Sequence, residues 1–257
     1  MRLTTTVLLA LLLMAWPDAC AAEQFRGLGQ FLHQHWREGS DAPGPVVSMA
    51  QGRDGFIWLA TGDGLFRFDG VHYEKIEAEP PLESDAPSAL LVSRSGDLWV
   101  AFETSHRFAV YRDGALRVLG TSPPHRIVAM AEGADGAIWA LTANYNAQAL
   151  RFQNGRWRSF DARDGLPENN ASHLIVARDG TVWISGSAGA AWLPPGADRF
   201  QLYGTSSSAW VSEDHSGRIW LSDRSGTYPI SRSGARVSGI PSTSRLPTGS
   251  LDIRAAP

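Results

Sequence analysis

The chain has 257 residues, with 23 Lys and Arg against 26 Asp and Glu, a formal charge of -3 and no basic block. That balance excludes a nucleic-acid footprint and gives no attraction to an anionic membrane surface. A single cysteine, Cys20, excludes a disulfide framework and a cysteine metal site, so the fold must rest on apolar packing, for which the length suffices.

The chain opens with Arg2, an apolar run over 7–15 and the small residues Ala19-Cys20-Ala21-Ala22. A charged start, a short apolar core and an A-x-A site describe a signal peptide over residues 1–22, which predicts export to the periplasm. The run is shorter than the ~20 apolar residues of a spanning helix, and an uncleaved anchor is the alternative. Pro17-Asp18-Ala19 before Cys20 is a poor match to a lipid-anchored cysteine. No second apolar stretch follows, and residues 23–257 read as one repetitive domain.

Five segments then repeat as [Asp/Ser]-Gly-x-aliphatic-Trp, ending at Trp58, Trp99, Trp139, Trp183 and Trp220. The tryptophans are 41, 40, 44 and 37 residues apart, a near-constant period that marks a repeat architecture. Each unit starts with an apolar or alternating stretch, such as Val46-Val47-Ser48-Met49-Ala50. Asp-Gly or Ser-Gly then turns the chain, since Gly tolerates the positive φ that hairpins need. The aliphatic-Trp strand follows, then a third strand such as Leu65-Phe66-Arg67-Phe68. A second turn at Asp69-Gly70, Asp113-Gly114, Asn154-Gly155 or Ser233-Gly234 leads into a fourth, more polar strand. Four short antiparallel strands in about 40 residues make one β-propeller blade. The expected fold is therefore all-β, with blades near 46–77, 88–119, 127–161, 171–203 and 208–240. Gly and Pro recur too often for helices. The five repeated tryptophans are expected in the core, filling the wedges between blades.

The ends of the chain extend the pattern. Residues 31–37 resemble a fourth strand with no blade before it. Residues 246–257 resemble the Leu166-Pro167 approach to the fourth blade, so they read as the start of a sixth. An incomplete propeller with an open blade edge, prone to self-association, is the expectation. Closure as a five-bladed ring by the 31–37 strand is the alternative.

The block Asp54-Gly55-Phe56-Ile57-Trp58-Leu59-Ala60-Thr61-Gly62-Asp63-Gly64-Leu65-Phe66-Arg67-Phe68-Asp69-Gly70 and the link Asp164-Gly165-Leu166-Pro167-Glu168-Asn169-Asn170 resemble the repeats of the two-component regulator propeller family. The resemblance covers roughly residues 30 to 257 and weakens in the fifth unit, which reads Gly226-Thr227-Tyr228-Pro229-Ile230. It implies a periplasmic sensor for a small, carbohydrate-like ligand, joined in full-length relatives to a histidine kinase or diguanylate cyclase. No kinase or cyclase signature and no phosphate-cradling Gly loop with Lys occurs in this sequence, so neither activity nor cofactor is expected of it.

Loops on a rigid scaffold carry binding residues. The strand 2–3 loops and the links between blades share one face and vary in content. His106, Asn144, Tyr145, Asn146 and Glu168 are the candidate ligand-binding residues there. His33 and His35 share one strand face, but no third ligand accompanies them and no metal site is expected. A metal-dependent propeller lyase of the streptogramin type and an inactive remnant are the alternative functions.

Overall fold

A computed structural model describes residues 43–82, 85–143, 148–167, 171–203 and 208–231. The signal peptide, the 31–37 strand and the start of a sixth blade lie outside the described residues.

The first sheet contains β1 (Val46–Gln51), β2 (Ile57–Thr61), β3 (Gly64–Phe68) and β4 (Tyr73–Ile76). A short strand, β5 (Ala78–Glu79), follows it. The second sheet contains β6 (Pro87–Val92), β7 (Leu98–Phe102), β8 (Phe108–Arg112) and β9 (Ala115–Val118). The third contains β10 (Ile127–Glu132), β11 (Ile138–Thr142), β12 (Ala149–Gln153) and β13 (Arg156–Phe160). The fourth contains β14 (Ala171–Val176), β15 (Val182–Gly186), β16 (Gly189–Leu193) and β17 (Gln201–Tyr203). The fifth shows β18 (Trp210–Glu213), β19 (Ile219–Asp223) and β20 (Gly226–Ile230). Within β1–β4, β6–β9, β10–β13, β14–β17 and β18–β20, strands that follow one another in the chain pair antiparallel. One departure from four-stranded blades is β5, which leaves the first sheet and pairs parallel with β9 as a fifth strand of the second.

The repeated Gly turn is one structure made five times. Gly52 N–H donates to Phe56 O at 2.8 Å, and Gly55 N–H donates to Gly52 O at 3.1 Å. The same two bonds recur in the turns at Ser93, Gly133, Ala177 and Asp214. The Gly of the Asp-Gly or Ser-Gly pair in each turn sits at a positive φ, between 77° and 94°. An L side chain is strained there, which explains why this position never varies among the five repeats. Asp113-Gly114 and Asn154-Gly155 hold positive φ at both residues, the type I′ geometry that matches strand twist.

Apolar side chains gather in four clusters, one at each junction between successive sheets. Trp58 meets Tyr111 of the second sheet at 4.7 Å between ring centroids. Trp99 meets Phe152 of the third at 5.8 Å, and Trp139 meets Phe200 of the fourth at 6.5 Å. Trp183 lies in the cluster shared with the fifth sheet. Trp58, Trp139 and Trp183 are buried; Trp99 and Trp220 are half-buried. The first strands of successive sheets stand side by side, β1 by β6, then β10, β14 and β18. Four of them carry a register shift in the same place, at Val46/Ser48, Pro87/Ala89, Ile127/Ala129 and Ala171/His173.

The Gly165 link is also built rather than loose. Asp161 caps a short 3-10 turn over Ala162–Asp164 in a reciprocal capping box, and Gly165 ends it at φ 89°. Leu166 is then buried in the cluster between the third and fourth sheets. A Cβ on Gly165 would lie 2.2 Å from Phe200 O.

Two outcomes follow for urea or thermal unfolding. Trp139→Ala lowers stability by about 3–5 kcal/mol, the cost of a large core cavity; an unchanged melting temperature contradicts its wedge role. Gly165→Ala costs about 1–3 kcal/mol from backbone conformation alone, with the Phe200 clash in addition.

Candidate functional site

In an antiparallel four-stranded blade, the 1–2 and 3–4 turns lie at one end, and the 2–3 turns and the links lie at the other. The 2–3 connections vary less than the sequence suggests. They are two-residue turns in the first, fourth and fifth sheets, between Thr61 and Gly64, Gly186 and Gly189, and Asp223 and Gly226. Longer loops occur only in the second sheet, from Phe102 to Phe108, and in the third, from Thr142 to Ala149. The link that leads to Glu168 begins with the capped turn at Asp161.

Of the five candidate binding residues, only His106 lies among the described residues; Asn144, Tyr145, Asn146 and Glu168 lie outside them. His106 stands half-exposed in the second sheet's loop with φ 53°, a left-handed conformation uncommon outside Gly. The loop is held from below. Asp85 accepts the N–H groups of Thr104 and Ser105 at 2.8 and 3.1 Å, and Ser105 Oγ accepts the N–H of Arg107 at 3.1 Å.

Asp85 also lines a cavity of about 420 Å³ between the first and second sheets. Its floor is apolar: Leu65, Ala78, Phe102 and Leu116 are buried there. Its rim is charged. Asp63 comes from the first 2–3 turn and accepts the N–H of Gly44 at 2.9 Å. Lys75 and Glu77 stand at the end of β4, 3.3 Å apart. The volume falls in the range of small-molecule sites, and an apolar floor under fixed polar groups is their usual chemistry. His106 is not one of the lining residues, though its loop hangs from Asp85. Sequence reasoning missed Asp63, Lys75, Glu77 and Asp85. Only Asp63, inside Gly62-Asp63-Gly64 on the expected face, carried a readable signal.

A second cavity of about 360 Å³ opens at the other end, between the third and fourth sheets. The fourth sheet's 3–4 connection, from Leu193 to Gln201, is long and forms one wall. Arg158 lies over the Phe160 ring at 4.5 Å and donates to Asp198 at 2.8 Å. Arg151 donates to Asp135 at 2.5 Å. These guanidiniums close on their own carboxylates. Among the described residues, no group of three or more His, Cys, Asp or Glu is placed to hold a metal ion. No described helix is long and apolar enough to cross a membrane.

No family model and no curated protein matches the chain. Solved structures do. The extracellular domain of a hybrid two component system of B. thetaiotaomicron, BT3049, superposes with a TM-score of 0.59 at 17% identity, over 76% of this chain and 30% of that one. The extracellular domain of BT4673 from B. thetaiotaomicron gives 0.61 at 21% identity, over 77% and 28%. Virginiamycin B lyase from Staphylococcus aureus, solved with quinupristin, gives 0.62 at 14% identity, over 79% and 72%. The fold is a β-propeller. The propeller chain thus spans less than a third of the two B. thetaiotaomicron extracellular domains.

Hydrogen bonds at the turns favour the charged form of their carboxylates. The bidentate Arg112 holds Asp97 below the usual carboxylate range. The Ser216 hydroxyl, the Trp220 indole N–H and the Arg218 backbone do the same for Asp214. A depressed folded value means that this stability is present above the unfolded range, near pH ~4, and is lost as pH falls through the folded values. Melting temperature is therefore expected to fall as pH drops below about 4, and Asp97→Asn or Asp214→Asn flattens that fall while lowering stability at pH 7.

Proposed function

We propose that this chain is the ligand-sensing propeller of a periplasmic signalling receptor, of the two-component or cyclic-di-GMP type, and that it is not itself an enzyme. The carrying observation is the cavity between the first two blades. It lies on the loop face, has an apolar floor and a charged rim, and shares Asp85 with the loop that bears His106. A ligand seated there touches two blades at once. The folds of the BT3049 and BT4673 extracellular domains support the reading, as does the repeat block over 54–70. An apolar floor beneath Asp63, Lys75 and Glu77 suits a polar molecule with one apolar face, the chemistry of a sugar ring.

Thermal shift against a panel of mono- and oligosaccharides tests this. At 100-fold excess over Kd, a ligand adds about 2.7 kcal/mol, or roughly 5–10 °C for a domain of this size. Asp63→Asn and Lys75→Ala should abolish the shift without lowering the unliganded melting temperature. A panel without effect, or a shift that both variants retain, counts against the cavity.

A second reading rests on the match to virginiamycin B lyase over 72% of that protein. Quinupristin incubated with the chain and a divalent cation would be linearised if the propeller were such a lyase. Unchanged quinupristin favours the sensor.

A further inference from the structure

Arg94 stands one place inside the second Gly turn and ties that turn to the next. Its backbone N–H donates to Glu132 at 2.6 Å, its Nε lies 3.3 Å from the same carboxylate, and Gly133 O accepts from its guanidinium. Arg178 does the same between the fourth and fifth sheets. Glu213 accepts its backbone N–H at 3.1 Å, and His215 O accepts from its guanidinium at 2.5 Å. Arg53 holds this place in the first turn, its Cδ 3.6 Å from where a Cβ on Gly96 would stand. The third turn, Gly133-Ala134-Asp135-Gly136, has Ala134 there. Its placement is the same, with the Ala134 Cβ 3.5 Å from where a Cβ on Gly180 would stand. Val176 ends β14, where Glu132 ends β10 and Glu213 ends β18, so neither half of the Arg–Glu pair is present. Among the four junctions between described sheets, the one between the third and fourth lacks this arginine.

The second cavity, of about 360 Å³, opens at that junction. Gly133, Ala134 and Asp135 of one turn and Asp179 and Gly180 of the next belong to its lining. Its floor is apolar: Trp139, Phe160, Val182 and Leu193 are buried there. Three carboxylates, Asp135, Asp179 and Asp198, line it together with two guanidiniums, Arg151 and Arg158. Both arginines are engaged. Arg151 donates to Asp135 at 2.5 Å and to Gln153 at 2.7 Å, and Arg158 donates to Asp198 at 2.8 Å. Asp179 accepts the backbone N–H of Thr181 at 3.0 Å and its hydroxyl at 2.9 Å. A carboxylate accepts through several lone pairs and can receive a guanidinium beside the donors it already has.

We propose that this cavity binds an alkyl-guanidinium cation, which supplies from outside the arginine that the third turn lacks. The volume is that of a small-molecule site. An aliphatic stem packs on the apolar floor, as arginine stems do on apolar surfaces. The planar, weakly hydrated guanidinium meets the carboxylates of the two turns. The excess of acid over base in the lining selects a cation over an anion. Once bound, the cation ties the third turn to the fourth as Arg94 and Arg178 tie theirs. The site lies at the opposite end of the blades from the first cavity, at another junction, and does not rest on the sensing role given to that one.

Isothermal titration of the full chain with butylguanidinium tests this. Saturable binding is expected, with butylammonium at least ~10-fold weaker because it lacks the planar fork. Ala134→Arg restores the chain's own arginine and should abolish binding. The position is exposed and holds arginine in three other turns, so the melting temperature should not fall. Ala134→Glu adds a carboxylate at the cavity and should tighten binding by ~3-fold, a gain that misfolding cannot produce. An acetylated, amidated Gly-Arg-Gly peptide separates the two sources of a guanidinium. Tighter binding than butylguanidinium assigns the site to an arginine side chain of a partner, and weaker binding assigns it to a free small molecule; both support the proposal. Four results overturn it: no saturable binding of either guanidinium compound, equal binding of butylammonium, binding that Ala134→Arg retains, or binding of glutarate in place of the cations.

Discussion

The structure depends on aromatic and aliphatic packing between sheets that cannot stand alone. A sheet of three to five short strands has two apolar faces and little interior of its own. Burial comes only from the neighbour, and the chain meets this need with a tryptophan on the front of each sheet and aliphatic residues on the back of the next. Four separate wedges replace one central core. Stability in such an array is close to a sum over adjacent units. A lesion at one junction therefore weakens two blades and leaves distant ones intact.

Polar groups lock the same junctions at the turn end. The Arg94 backbone N–H donates to Glu132 at 2.6 Å, and its guanidinium reaches Gly133 O. Arg178 repeats the arrangement with Glu213 and His215 O, two sheets further on. Each arginine stands just inside a Gly turn and crosses to the next turn. Asp54, Asp135, Asp179 and Asp214 meanwhile brace their own turns by accepting nearby backbone N–H groups. Turn chemistry and blade stacking are thus joined through the same few residues.

The blades could be read from the sequence because their signals are local. Gly55, Gly96, Gly136, Gly180 and Gly217 are required by backbone conformation, whatever surrounds them. The aliphatic-Trp pair then follows at a fixed offset. The cavity was not readable, because its lining joins Asp63, Lys75, Asp85, Phe102 and Leu116 from two repeats. No spacing within one repeat brings them together. The capped turn at Asp161 is not marked in the sequence, because its capping box is formed by two aspartates inside a polar stretch. His106 was singled out for its loop, and what holds that loop is Asp85, about twenty residues earlier and in the preceding link. β5 escaped for the same reason: Ala78-Glu79 has no strand signature, and its partner β9 lies in the following repeat.

That short parallel strand bears on how such a chain can be inherited. The stretch between Val118 and Ile127, by contrast, contains no strand. Recombination there exchanges whole repeats cleanly. A breakpoint between Ile76 and Pro87 would instead strip the outer edge from the second sheet and take Glu77 and Ala78 from the cavity wall. The first two repeats are therefore expected to duplicate, move and be lost as a pair.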